Sequence, residues 1–169
     1  MVFSQLKRMK SRIAIAASLI LIAVVTALFV GTSGTGNPSL AISFLYYHLN
    51  YAVVEIRNVG SGTACYYGYG AASPFYEVMI DCGTGWTKAP SRFWCGTGAG
   101  SALLPPNQAK TVQVYLPTNQ QWKVGVAFRK PGLEDRLPRF VARCLPSAWQ
   151  SQSPTYTAWS PPIPYSKAQ

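Results

Sequence analysis

From Ile13 to Val30 the chain runs for eighteen residues without a charge, IAIAASLILIAVVTALFV. As a helix rising 1.5 Å per residue, that run spans about 27 Å, close to the roughly 30 Å of hydrocarbon in a bilayer. Lys7, Arg8, Lys10 and Arg12 stand just before it, and nothing comparable stands just after. Cations on that side predict that the N-terminus stays in the cytoplasm and that everything beyond Val30 is exported. The competing reading is a cleaved secretory signal, whose apolar stretch usually runs about 7–15 residues and ends in small residues, as Gly31-Thr32-Ser33 would supply. The run here is longer, so a retained signal-anchor is expected: a basic cytoplasmic segment over 1–12 and a transmembrane helix over 13–32. Either reading places the protein outside the cytoplasm, as a single-pass membrane protein or its released form.

The rest of the 169-residue chain has room for one ordinary domain. A Gly- and Ser-containing linker fills 33–38, and the domain is expected over 39–146. Residues 147–169 hold Pro154, Pro161, Pro162 and Pro164 among Ser, Gln and Thr, with Trp149, Tyr156, Trp159 and Tyr165 interspersed. That composition predicts an extended proline- and aromatic-bearing tail. Four of the fifteen Lys and Arg residues precede residue 13, which leaves eleven against five acids and a net +6 beyond the anchor. Such a surface would suit nucleic acid, but export makes that partner a poor one. The expected partners are the membrane and a protein or glycan outside the cytoplasm.

Within 40–128 the apolar residues recur at every second position, the period of a strand with one face buried. Trp122, Val124, Val126 and Phe128 alternate with the outward Lys123 and Arg129; Val112, Val114 and Leu116 form a second series. Tyr76, Val78, Ile80 and Cys82 form a third, and Val54 and Ile56 alternate with Glu55 and Arg57. Leu40 to Leu49 is apolar on both faces. Asn58-Val-Gly-Ser-Gly62, Ala71-Ala-Ser-Pro74, Gly83-Thr-Gly85 and Leu104-Pro-Pro-Asn107 separate the runs with turn residues. Six or seven short strands at this spacing predict an all-β fold, an antiparallel β-sandwich of immunoglobulin-like type. A short C-terminal helix is expected at Pro138–Leu145, where Pro138 suits a first turn and Phe140, Val141, Cys144 and Leu145 share a stripe.

Asn58-Val-Gly-Ser, Gly85-Trp86, Trp94-Cys-Gly-Thr-Gly98, Trp122-Lys-Val-Gly-Val126 and Arg136-Leu-Pro-Arg-Phe140 together resemble a family of short bacterial membrane-anchored proteins with an N-terminal membrane segment and no assigned function. The resemblance spans about residues 10–146 and implies no activity, cofactor or site residue.

Few residues suit catalysis. His48 is the single histidine, and it shares a strand face with Ile42, Phe44 and Tyr46, which predicts a packed or boundary position rather than a general base. Glu77 and Asp81 fall about 13 Å apart along one strand at 3.3 Å per residue, too far for joint work on one bond. Gly96-Thr-Gly98-Ala-Gly100 lacks the Lys-Ser/Thr that a phosphate loop needs. No catalytic residue, metal ligand or cofactor is therefore assigned, and the expected function is a non-enzymatic structural or interaction module. The four cysteines are separated by 16, 12 and 48 residues, without a CxxC pair. In an exported domain this favours disulfides, and Cys82–Cys95 is the preferred bond because it would close the loop between them. That loop holds the candidate binding residues Trp86, Lys88, Arg92 and Trp94, whose indoles and cations would suit a glycan as the alternative ligand.

Overall fold

The computed structural model describes residues 36–69, 73–90, 98–115, 120–137, 144 and 153–165. The expected transmembrane helix and the expected helix at Pro138–Leu145 fall outside them, apart from Cys144. Among the described residues no helix is long and apolar enough to cross a membrane.

The described residues form nine strands in two antiparallel sheets, with no helix. The smaller sheet has the order β1 (Leu40–His48), β2 (Tyr51–Asn58), β7 (Ala109–Tyr115). The larger contains β3 (Ala64–Gly68), β4 (Tyr76–Asp81), β5 (Trp86–Lys88), β6 (Gly100–Leu104), β8 (Trp122–Arg129) and β9 (Tyr156–Trp159). One apolar cluster joins the sheets: Leu40, Ile42, Val54, Ile56, Val112 and Val114 from the smaller, Tyr66, Val78, Leu104, Trp122, Val124, Val126 and Phe128 from the larger. These are the alternate positions the strand period singles out, and each side chain of Val, Leu or Phe size contributes about 1.5–3 kcal/mol on burial.

β8 organises the larger sheet. Gly125 and Val126 pair with both β4 and β9, and Phe128 pairs with both β3 and β9. β9 therefore takes one edge of β8, while β3 and β4 lie end to end along the other. Tyr66 pairs with Phe128 and Tyr76 with Val126, so the nine residues 67–75 stand opposite Ala127 alone. The chain parts from β8 after Tyr66, while Tyr67 and Gly68 stay paired with Ser101 and Gly100 of β6, and it then turns back, with the Tyr69 N–H donating to Ser73 O and the Phe75 N–H to Tyr67 O. It rejoins β8 at Tyr76. Gly68 makes the return possible, since a Cβ there would stand 2.2 Å from the Ser73 carbonyl oxygen.

Three observations depart from the sequence reading. First, β1 carries a bulge between Phe44 and Tyr46, because Phe44 pairs with Val54 but Tyr46 with Val53. One extra residue inverts the alternation. Tyr47 packs against the core, while Tyr46 is 55% exposed and His48 is exposed rather than packed. Second, Cys82 lies beyond the end of β4 and is exposed, although it shares the parity of Val78. Third, the segment read as an extended tail supplies β9 and continues along β8: the Val124 carbonyl accepts from the Ser160 N–H, and Ile163 and Trp122 exchange backbone hydrogen bonds at 2.7 and 3.1 Å. Ile163 is 3% exposed and belongs to the core. Pro162 and Pro164 flank Ile163, so local composition conceals a segment that pairs with β8.

Ile163→Ala is expected to lower stability by about 2–4 kcal/mol, as for other buried Ile truncations. Thr157→Ala, at an exposed position of β9, should change it by about 0.5 kcal/mol or less. Chemical denaturation of the two variants measures both; equal, small effects would mean that this segment does not close the sheet.

Candidate functional site

The candidate residues Trp86 and Lys88 lie on β5, a three-residue strand at the edge of the larger sheet. Pairing places Lys88 opposite Met79 and Trp86 opposite Asp81, on the face away from the core. Met79 in turn pairs with Lys123 of β8, and Gly125 pairs with Trp159 of β9. Residues far apart in sequence thus form one row across four strands. The Lys123 ammonium stands 4.5 Å from the centre of the Trp86 ring and 5.2 Å from that of Trp159. Each contact is a cation–π interaction worth about 0.5–1 kcal/mol where solvent reaches it. Gly125 lets the second indole lie close to the sheet: a Cβ there would approach the Trp159 ring to 2.7 Å. Trp159 remains 38% exposed and Trp86 half-buried. At the edge of the row Lys88 pairs with Glu77.

Arg92, Trp94 and Cys95 lie outside the described residues, so the structure places two of the four candidate binding residues. Cys82, the other half of the preferred disulfide, is an exposed free thiol. Lys123 and Trp159 were missed as site residues: the alternation marks Lys123 as outward, but its two aromatic neighbours emerge only from the register of β5, β8 and β9.

A second polar cluster occupies the same outer face at the far end of β8. Cys65 and Arg129 are paired across β3 and β8, and the turn around Gly132–Asp135 folds over them. The Arg129 guanidinium donates to both Asp135 carboxylate oxygens at 2.8 Å, and it reaches Glu134 at 3.3 Å. Asp135 also accepts from the Gly132 N–H at 2.8 Å. Burial pushes the Cys65 thiol up to about 12 from 9.0, and the Asp135 carboxylate adds to the rise, against the opposing pull of Arg129. The thiolate is the nucleophilic form, so Cys65 is inert near neutral pH. Glu77 and Asp81 have separate local partners, Lys88 and the Gly83 N–H. Among the described residues no group of three His, Cys, Asp or Glu side chains is placed to hold a metal ion.

No protein-family model, curated protein or solved structure matches the chain.

Two consequences follow for the cysteines. Native protein treated with iodoacetamide near pH 7.5 should be modified at Cys82 well before Cys65, which should react only on unfolding; peptide mass mapping distinguishes them. Because the folded state holds the Cys65 proton more tightly than the unfolded chain, its contribution to stability is intact below pH 9 and falls as pH rises from about 9 to about 12. Cys65→Ala should flatten that part of the stability profile, and an unchanged slope would show that the thiol is not held in this way.

Proposed function

We propose that the protein is a non-enzymatic, membrane-tethered, extracytoplasmic interaction module of immunoglobulin-like type, related to the short bacterial membrane-anchored proteins its motifs resemble. The observation that carries the reading is the row Trp86–Lys123–Trp159 on an outer sheet face. Aromatic rings offer large contact area at little cost in side-chain freedom, and a cation between them adds direction, which suits recognition rather than reaction. The immunoglobulin-like assignment draws support from strand order. β1, β2 and β7 stand as strands A, B and E stand in that fold, and the β3–β4 line, β8 and β9 stand as C, F and G. The tether rests on the basic cluster and apolar run of 7–30.

A second reading has a specific basis. The Trp159 ring lies close against Gly125, the flat presentation on which a sugar ring stacks through its C–H face, so the same row would serve a glycan partner.

A reporter enzyme that works only outside the cytoplasm, fused after Gln169, should be active, and the fusion should fractionate with membranes. In the same cells a photo-crosslinking amino acid at Thr157, on this face, should give a discrete adduct that Lys123→Glu removes. An inactive reporter overturns the topology; absence of any adduct that depends on Lys123 overturns the assignment of the face.

A further inference from the structure

A cleft of about 460 Å³ lies beside the smaller sheet. Its position results from two departures from regular strand structure described above. The bulge in β1 turns Tyr46 to the outer face, where it meets Tyr51 and Val53 of β2 and Gln113 of β7. The excursion 67–75 brings Tyr69, Ser73 and Pro74 to the same cleft. Bulges of this kind re-aim side chains, and they are enriched beside binding sites. Val53 shows the effect: it lies outside the core cluster, on the outer face of its sheet, yet is 3% exposed.

The lining is chemically uniform. Tyr46, Tyr51, Tyr69 and Tyr76 supply four phenol groups, and Gln113, Thr111 and Ser73 add an amide and two hydroxyls. Among the described residues no lining side chain carries a formal charge at neutral pH. A charged ligand would lose its hydration there without a counter-charge, whereas a purely apolar one would strip water from the Gln113 amide and the Thr111 hydroxyl without replacing its hydrogen bonds. Several rings are held before any ligand arrives. Tyr51 packs edge-on against Tyr115 at 5.7 Å, Tyr69 against Phe75 at 5.2 Å, and the Tyr76 hydroxyl accepts from the Tyr115 N–H at 3.2 Å. The last bond also occupies the backbone of β7 where an added peptide strand would dock, which disfavours strand addition. The volume lies within the roughly 300–1,000 Å³ of small-ligand sites.

We propose that this cleft binds an uncharged carbohydrate, with Tyr46 and Tyr51 against the C–H faces of a sugar ring and Gln113 and Thr111 hydrogen-bonding its hydroxyls. The site is separate from the Trp86–Lys123–Trp159 row and does not depend on the function assigned to that row. The same chemistry would recognise a free oligosaccharide or a segment of a neutral polysaccharide.

The test uses the full chain in detergent micelles. Maltotetraose, cellotetraose, mannotetraose and tetra-N-acetylchitotetraose are titrated in solution, and mobility is compared in gels with and without the corresponding soluble polymers. Solution binding identifies a free oligosaccharide as sufficient, and retardation without tetraose binding identifies the polymer. In either case Gln113→Ala and Tyr46→Ala should each weaken binding about tenfold or more while unfolding temperature is retained, since both residues are exposed and their loss removes only ligand contacts. The proposal fails if none of these sugars binds to the folded protein at millimolar concentration. It fails equally if binding survives both substitutions; loss on Trp86→Ala instead would assign the sugar to the other face and support the second reading above.

Discussion

The side chain of Asn58 fastens two of the three passages of the chain between the two sheets, β2 to β3 and β6 to β7. It is fully buried at the end of β2, where the chain crosses from the smaller sheet to the larger. Its amide nitrogen donates to Gly62 O and Leu104 O, both at 2.8 Å, and its amide oxygen accepts from the N–H groups of Gly60 and Ser39 at 3.0 and 3.4 Å. Its backbone exchanges bonds with Gln108 and Asn107 in the return crossing from β6 to β7. A primary amide has two donor hydrogens and an oxygen with two lone pairs, so this one is satisfied in full. The surroundings are shaped to it. Gly62 lies against the chain at Gly36, where a Cβ would stand 2.0 Å from the carbonyl oxygen. Asn107 takes φ of +62° in the turn Pro105–Gln108, with Pro106 ahead of it, the residue pattern of a type II turn.

Much of the antiparallel all-β fold was legible because burial on one face imposes a two-residue period. β8 is the clearest instance: Trp122, Val124, Val126 and Phe128 face inward as the pattern requires, and Lys123 faces outward. The period fails where the backbone departs from it. In β1 the bulge between Phe44 and Tyr46 reverses which residues face the core, and a sequence apolar on both faces carries no mark of that reversal. β9 escaped notice for another reason. Its four residues, Tyr156–Trp159, contain little apolar alternation, and they are held by pairing with β8 rather than by local preference. Ala71-Ala-Ser-Pro74 also read as an ordinary turn, since nothing local says that the strands on either side of it pair with the same partner.

The candidate site was legible only in part, and the division is physical. Trp86 and Lys88 stand out by type within a short loop-rich stretch, whereas Trp159 is seventy-three residues beyond Trp86 in the chain. What brings them to one face is register: Trp86 opposite Asp81, Met79 opposite Lys123, Gly125 opposite Trp159. Composition singles out aromatic residues but not which of them share a face. The tyrosine cleft illustrates the same limit, since its rings come from β1, β2, the excursion and β4. Cys65 shows the converse, a residue whose chemistry is decided by cover: the turn carrying Asp135 buries it and holds its proton.

If Asn58 fastens these two passages as described, the strands that carry the aromatic row and the tyrosine cleft owe part of their relative placement to one buried amide, beside the apolar core that joins the sheets. Asn58→Asp examines this with almost no change in shape. The carboxylate keeps the acceptor for Ser39 and Gly60 but turns an oxygen toward the carbonyls of Gly62 and Leu104, where a donor is required. Urea unfolding of Asn58→Asp beside the unaltered protein at pH 7 is the direct measurement. The account predicts a loss of about 3 kcal/mol or more, the scale of an uncompensated buried charge. A loss within about 0.5 kcal/mol would contradict it, because the crossings would then be held by something other than this side chain.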